Sequence, residues 1–185
     1  MPSFGIIPCR SLLHSCAFRA AVKWSRRGFA SQAEPAEDRS VTLARVIAAS
    51  PDKVWAEMRD FLRQTRHIPS RASAVVTHTN PEAAATDAVG CVRSIIIPQG
   101  LEAPLRERLL EHSDAERRFT LTVEAPNPFR LDDYRATVTN TPLTDGSTLT
   151  QYLGTFRGPP ETVDMVTTTY TQFLASVAIA AELPE

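Results

Sequence analysis

Two side chains able to do acid–base chemistry stand in strongly apolar, strand-like text. Arg93 lies within Cys91-Val92-Arg93-Ser94-Ile95-Ile96-Ile97, and Glu107 within Leu105-Arg106-Glu107-Arg108-Leu109. A period of two puts Arg93 on one face with Cys91, Ile95 and Ile97, and Glu107 on one face with Leu105 and Leu109. If both faces look into one apolar space, the two charges meet on neighbouring strands. Arg stays cationic at any working pH and polarises a carbonyl or holds a developing enolate. A carboxylate among apolar groups is pushed by desolvation toward holding a proton near neutrality. The same pair also reads as a buried structural ion pair, since neither charge tolerates an apolar site alone. Both readings stand at this point.

Other candidates are fewer. Tyr134 and Tyr152 fall on inward strand positions, where a hydroxyl can donate to a ligand carbonyl or simply end a packed wall. His67, beside Ile68-Pro69, is either a group at the mouth of the site or a solvated loop histidine; the second is expected. Trp55 is placed with the ligand-lining residues and most simply anchors a short helix to the sheet. His78 and His112 lie near strand ends and are expected exposed. Glu111 and Asp114 are expected to cap a turn. No histidines or carboxylates have zinc-ligand spacing, and Cys91 is the one cysteine beyond residue 16, so it reads as a small core residue. No G-x-G-x-x-G, G-x-x-x-x-G-K or G-x-S-x-G occurs in the chain. Dinucleotide, P-loop and hydrolase-elbow chemistry are set aside, and neither cofactor nor metal is expected.

Positioning these residues requires a set of elements that the text spells out. Arg39–Ala48 alternates as a first strand. Ser50-Pro51-Asp52 then opens a helix with a cap, a first-turn proline and an acid for the dipole. A second short helix is expected over Asp60–Gln64. Strands follow at Ala72–Thr79, Val89–Ile97, Pro104–Glu111, Arg117–Glu124, Asp133–Asn140 and Ser147–Phe156, separated by Pro, Asn and Gly turns. Glu161–Leu183 carries Val163, Val166, Tyr170, Phe173, Leu174 and Val177 at spacings of three and four, an amphipathic stripe. The expectation is an α+β domain: seven antiparallel strands curved around one long C-terminal helix, with two short helices after the first strand. Space between sheet and helix is the natural place for a ligand.

The chain has 185 residues, 43% apolar and 22% charged, enough for one domain and a tail. Its formal net charge of −1 hides an asymmetry. Arg10, Arg19, Lys23, Arg26 and Arg27 precede the first acid, Glu34, leaving fifteen basic residues against 21 acids in the remainder. Such a body lacks the basic stripe that nucleic acid demands. No run approaches the roughly 18 apolar residues of a membrane span. Met1–Ser31, acid-free and rich in Arg and Ser, has the composition of an organellar presequence or of a disordered N-terminal extension; Arg27-Gly28-Phe29-Ala30-Ser31 resembles a mitochondrial processing site and favours the first. Residues 1–38 are therefore read as presequence and linker, and 39–185 as the domain. Mitochondrial localisation is expected, with the cytoplasm as the alternative.

Ser50-Pro51-Asp52-Lys53-Val54-Trp55 with Arg59-Asp60-Phe61 resembles the opening of the polyketide cyclase/dehydrase branch of the START-like (SRPBCC) superfamily. Val89-Gly90-Cys91-Val92-Arg93 resembles that branch's G-x-x-R strand. Arg106 to Asp114 resembles its E-R-L-x-x-x-D strand and turn, and Asp133–Thr137 and Gly146–Tyr152 its sixth and seventh strands. The resemblance covers about residues 40–182 and implies a helix-grip fold around a hydrophobic cavity. Family members include lipid carriers, plant allergens, polyketide cyclases, lachrymatory factor synthase and small fungal cyclases that close polyketide chains into lactones or pyrones. Similarity to lachrymatory factor synthase implies catalytic roles for Arg93 and, more approximately, Glu107. It points to a cofactor-free cyclase or isomerase of a polyketide-like carbonyl compound, supplied by a polyketide synthase in secondary metabolism. The alternative it implies is a carrier for a lipid, quinone or isoprenoid in an organelle.

Overall fold

In the computed structural model, residues 36–67, 75–78, 88–96 and 103–183 are described, with backbone alone for 75–78. The presequence reading and the turns at Asn80-Pro81 and Pro98-Gln99-Gly100 lie outside the described residues. Among the described residues, seven strands form one antiparallel sheet: β1 (Glu37–Ile47), β2 (Val75–His78), β3 (Val92–Ile96), β4 (Leu105–Ser113), β5 (Arg118–Val123), β6 (Asp132–Pro142) and β7 (Thr148–Gly158). Their spatial order is β1-β7-β6-β5-β4-β3-β2, so β2 to β7 form a meander and β1 returns to pair with the last strand. Glu37 and Asp38, expected in the linker, pair with Gly158 and Arg157 and belong to β1.

Alternation sets which residues face inward. Val41, Gly154, Ala136, Leu121 and Leu109 follow one another across five strands on the covered face. A register shift between Leu109 and Glu111 adds a bulge to β4, the kind of feature that bends a strand and deepens sheet curvature. On the covered face lies α2 (Glu161–Glu182), which buries Val166, Tyr170, Phe173, Leu174, Val177, Ala178 and Ala181. At ~1.5 Å per residue it is about 33 Å long, enough to cross the sheet. Glu161 and Asp164 sit in its first turn, where negative charge complements the exposed N–H groups. None of the helices in the described residues is long and apolar enough to cross a membrane.

The first helix, α1 (Pro51–Met58), starts as its residues dictate: the Ser50 hydroxyl accepts from the Lys53 N–H at 3.4 Å, with Pro51 in the first turn. The second expected helix is shifted and tighter. Asp60 Oδ1 accepts from the Leu62 and Arg63 N–H groups at 3.0 Å, and a 3-10 helix follows over Arg63–His67. Asp60 therefore caps the turn from outside it, which moves the helix three residues on. A long helix gripped by a curved antiparallel sheet is a helix-grip fold.

Candidate functional site

Arg93 and Glu107 are direct register partners on β3 and β4. Arg93 Nε and Nη2 both donate to Glu107 Oε2, at 2.6 and 2.5 Å. Arg93 Nη1 donates to the Phe61 carbonyl, and its guanidinium carbon lies 4.2 Å over the Phe61 ring. The two side chains are 3% and 6% exposed. The pair is thus a charge-assisted, buried contact whose cation is enclosed by protein groups. Its two members face different surroundings. Arg93 braces the chain leaving α1, whereas Glu107 lines a cavity under α2.

That cavity, of about 30 Å³, is walled by Leu105 and Glu107 of β4, Val123, Phe129 and Leu131 of the following strand and loop, Tyr134 of β6, and Met165, Val166, Thr169 and Tyr170 of α2. By this measure it holds on the order of two water molecules. The roomy space expected between sheet and helix is therefore largely filled by aromatic side chains. Phe129 and Met165 on its rim are only half buried, and a thioether chain is the most easily rearranged of the walls. A larger groove, about 320 Å³, lies at the sheet end among Ala36, Pro126, Asn127, Arg130 and Pro159, and contains none of the candidate residues.

Two of the residues that line the cavity with Glu107 are phenols in contact with each other. Tyr134 and Tyr170 Oη atoms are 2.9 Å apart, both buried. Burial first, and then the neighbouring tyrosines, raise the pKa of Tyr134 well above the ordinary phenol value. Tyr170 is raised in the same way, by burial first and then by Tyr152. Both therefore stay protonated and remain hydrogen-bond donors through the working pH range. Tyr152 stacks flat on Tyr170, with centroids 3.7 Å apart and planes 7° apart, as a second layer behind the pair.

The remaining candidates lie elsewhere. Trp55 anchors α1: its Nε1 donates to Asp114 Oδ1 at 2.6 Å, and its ring meets those of His112 at 5.2 Å and Phe119 at 6.4 Å. Asp114 also pairs with Arg59 at 3.0 Å, and Glu111 with Arg118 and Arg135. These two carboxylates tie elements together where turn caps were expected. His112 is half buried on Trp55, with Nε2 at 3.0 Å from the Arg59 carbonyl. Cys91 is fully buried in the core. The side chain of His78 is outside the described residues.

His67 departs most from expectation. It is buried at 2% exposure, held between α1 and α2 and away from the cavity. Nδ1 is 3.2 Å from Ser176 Oγ, Nε2 is 3.2 Å from the Glu57 carbonyl and receives Arg66 Nε at 3.2 Å, and its ring meets Phe173 edge-on at 6.0 Å. The 3-10 helix turns this residue inward, which its place next to a proline does not reveal. Burial, and then the Arg66 cation, hold its pKa below the ordinary 6.5, against the opposing pull of Glu57. A depressed histidine favours folding while neutral, so its contribution is complete above about 6.5 and is lost as pH falls through the folded-state value. Thermal melts from pH 7.5 to 5 are expected to show a decline in stability that flattens in His67→Gln. Equal slopes in the two proteins would remove His67 from the acid response.

Sequence reading missed Tyr170 as a site residue, taking it for one more member of an apolar stripe. It missed Gly154 as well. The signals were a hydroxyl within that stripe and a glycine inside a strand, which marks close approach by another group.

The architecture defines a ligand-binding helix-grip protein. The chain belongs to the family described as polyketide cyclase/dehydrase and lipid transport, whose model matches residues 38–182. No curated protein matches it. Among solved structures, the protein XoxI from Bacillus cereus is similar at 23% identity and a TM-score of 0.63, covering 76% of this chain and 94% of that one. A protein from Nitrosospira multiformis is similar at 22% identity, with the same TM-score and coverage. Norcoclaurine synthase from Thalictrum flavum, solved with dopamine and hydroxybenzaldehyde, is 13% identical with a TM-score of 0.62, covering 87% of this chain and 96% of that one. These similarities establish the fold.

Proposed function

We propose that the protein, with the half-buried Phe129 and Met165 displaced to enlarge the small cavity, binds a small hydrophobic carbonyl compound between sheet and α2 and cyclises or isomerises it without a cofactor. One observation carries this reading: Glu107, Tyr134 and Tyr170 converge on a single apolar-walled cavity. Glu107 takes a proton from the carbon beside the carbonyl, and the phenols hold the oxygen that becomes an enolate. For closure, the enolate carbon bonds to a second carbonyl carbon of the same molecule. The alkoxide so formed takes the proton back from Glu107, with no net oxidation. For isomerisation, the proton returns to another carbon. The wall holds the substrate folded, which is the larger part of the acceleration for an intramolecular step. Arg93 keeps the carboxylate oriented.

The family description, and the small aromatic compounds held by norcoclaurine synthase in the same fold, agree with a substrate of this kind. The reading extends to a polyketide synthase as the source of substrate in secondary metabolism, and to mitochondrial import on the composition of residues 1–31. A carrier for a lipid, quinone or isoprenoid is the second reading, favoured by the closed contact of Glu107 with Arg93, which a purely structural pair would also make.

Native mass spectrometry of the protein purified from its own source, with extraction of what co-purifies, separates the two. A polyketide-like carbonyl compound or its ring-closed product is expected. A stoichiometric lipid or quinone would make this a carrier. In the same spectrum, a chain beginning near Ser31 is the expected sign of import, and an intact Met1 would remove the organelle from the reading.

A further inference from the structure

A cavity lined by two phenols in contact makes a specific demand on what enters it, and the demand is set from beneath Tyr170. Gly154 on β7 lies between Val41 of β1 and Ala136 of β6 in register. The row of small side chains leaves a hollow in the sheet, and the Tyr170 phenol fills it. A Cβ added to Gly154 would come within 2.0 Å of Tyr170 Oη and 2.9 Å of its Cζ. Gly154 is therefore a requirement of space. With the hollow below it and Tyr152 flat against its ring, Tyr170 has one place to put its hydroxyl, 2.9 Å from that of Tyr134.

Two phenols in contact hold two protons. One is used in the bond between them; the other remains available to a third oxygen. A ligand oxygen reaching the pair accepts that remaining O–H, and the bond between the phenols polarises the donor and strengthens it. Arg93 offsets part of the charge of Glu107; beyond the effect of burial, the carboxylate still raises the pKa of both phenols, so an anionic oxygen is held by the donor bond against that repulsion.

We infer that Tyr134 and Tyr170 form an oxyanion site selective for ligands whose oxygen gains negative charge, enolisable ketones and acidic phenols, and that Gly154 is the positioning residue that sets Tyr170 within it. This rests on the proposed use of the cavity and names the substrate class that the phenol pair accepts. Acidic ligands are favoured because a donor bond to an ionised oxygen is worth roughly twice one to a neutral oxygen. Esters and ethers of the same shape gain only the neutral bond.

The test uses the full chain and a series of ring-substituted phenols of graded acidity, each beside its methyl ether, with Kd measured by calorimetry. Affinity is expected to rise along the series for the phenols and to stay flat for the ethers. Bound 4-nitrophenol is expected to show the phenolate absorption band at a pH where the free compound is largely neutral. Tyr170→Phe is expected to weaken binding of the most acidic phenol on the order of tenfold, while the ethers change less than about twofold. Gly154→Ala keeps every hydroxyl yet is expected to lose the same preference. The double variant should be no worse than either single one, since both remove one interaction. A merely structural role for Gly154 would shift phenols and ethers alike. Equal binding of phenols and ethers by the wild type, or an unchanged phenol slope in Tyr170→Phe, would overturn the oxyanion site and leave hydrophobic binding in place. Failure of both ligand classes to bind would overturn the proposed use of the cavity as well. Should Gly154→Ala not fold, Tyr170→Phe and Tyr134→Phe carry the test.

Discussion

Arg93→Met is expected to destabilise the domain by about 3–5 kcal/mol, since it removes the cation that offsets the buried Glu107 carboxylate. Glu107 is 6% exposed and takes two Arg93 N–H bonds on one oxygen, so no water replaces the lost partner without opening the sheet. Removing both charges reverses most of that loss: Arg93→Met with Glu107→Leu fills the same space with apolar groups and is expected to come back to within about 1–2 kcal/mol of wild type. Urea unfolding of the four proteins of this cycle measures the coupling directly. The double variant then separates stability from chemistry. It should fold and still admit a hydrophobic ligand, yet lack the carboxylate that takes the proton in the proposed reaction. A double variant that turned substrate over at the wild-type rate would show that Glu107 only supports the wall. A single variant as stable as wild type would show that the two charges do not depend on each other.

Phe173→Ala should have an effect of similar size, about 3–5 kcal/mol, for a different reason. Phe173 is fully buried on α2, edge-on to Tyr152 at 5.5 Å and to His67 at 6.0 Å. It is the side chain through which the 3-10 helix and the tyrosine layers lean on one helix. Deleting it leaves an apolar void beside the Tyr152–Tyr170 stack. The void forfeits the contacts of its lining as well as the transfer energy of the ring. Differential scanning calorimetry checks the size of the loss. Benzene is the diagnostic: a dry void of that shape binds it, so saturating benzene should raise the Tm of Phe173→Ala by more than it raises that of wild type. A loss under 1 kcal/mol would mean that α2 settles into the space, and that the layers are less tightly stacked than the ring distances imply.

Much of the fold was legible because its signals are local. The Ser50-Pro51 cap, the proline and glycine turns, the period-two strands and the three–four stripe of α2 each depend on a few adjacent residues and elementary backbone sterics. Arg93 and Glu107 were also readable as neighbours. A short excursion between consecutive strands makes them antiparallel partners, and two charges in apolar text on such partners have few places to go but each other. What the sequence could not decide was which of these side chains meets the cavity. Arg93 turns its charge toward Phe61 and Glu107 while Glu107 borders the void, a division set by where the chain leaving α1 comes to rest. His67 was read as a loop residue because nothing in its neighbours says that a 3-10 turn will rotate it against Ser176 and Glu57, from helices 109 and 10 residues away in the chain. Tyr170 and Gly154 lie 16 positions apart on a helix and a strand, and each looks ordinary alone. Only packing α2 onto the sheet sets a phenol in the hollow that a missing Cβ leaves. Local sterics determined the elements; the tertiary structure decided how small the cavity is and which tyrosines line it, because those depend on how volumes from distant segments fill one space.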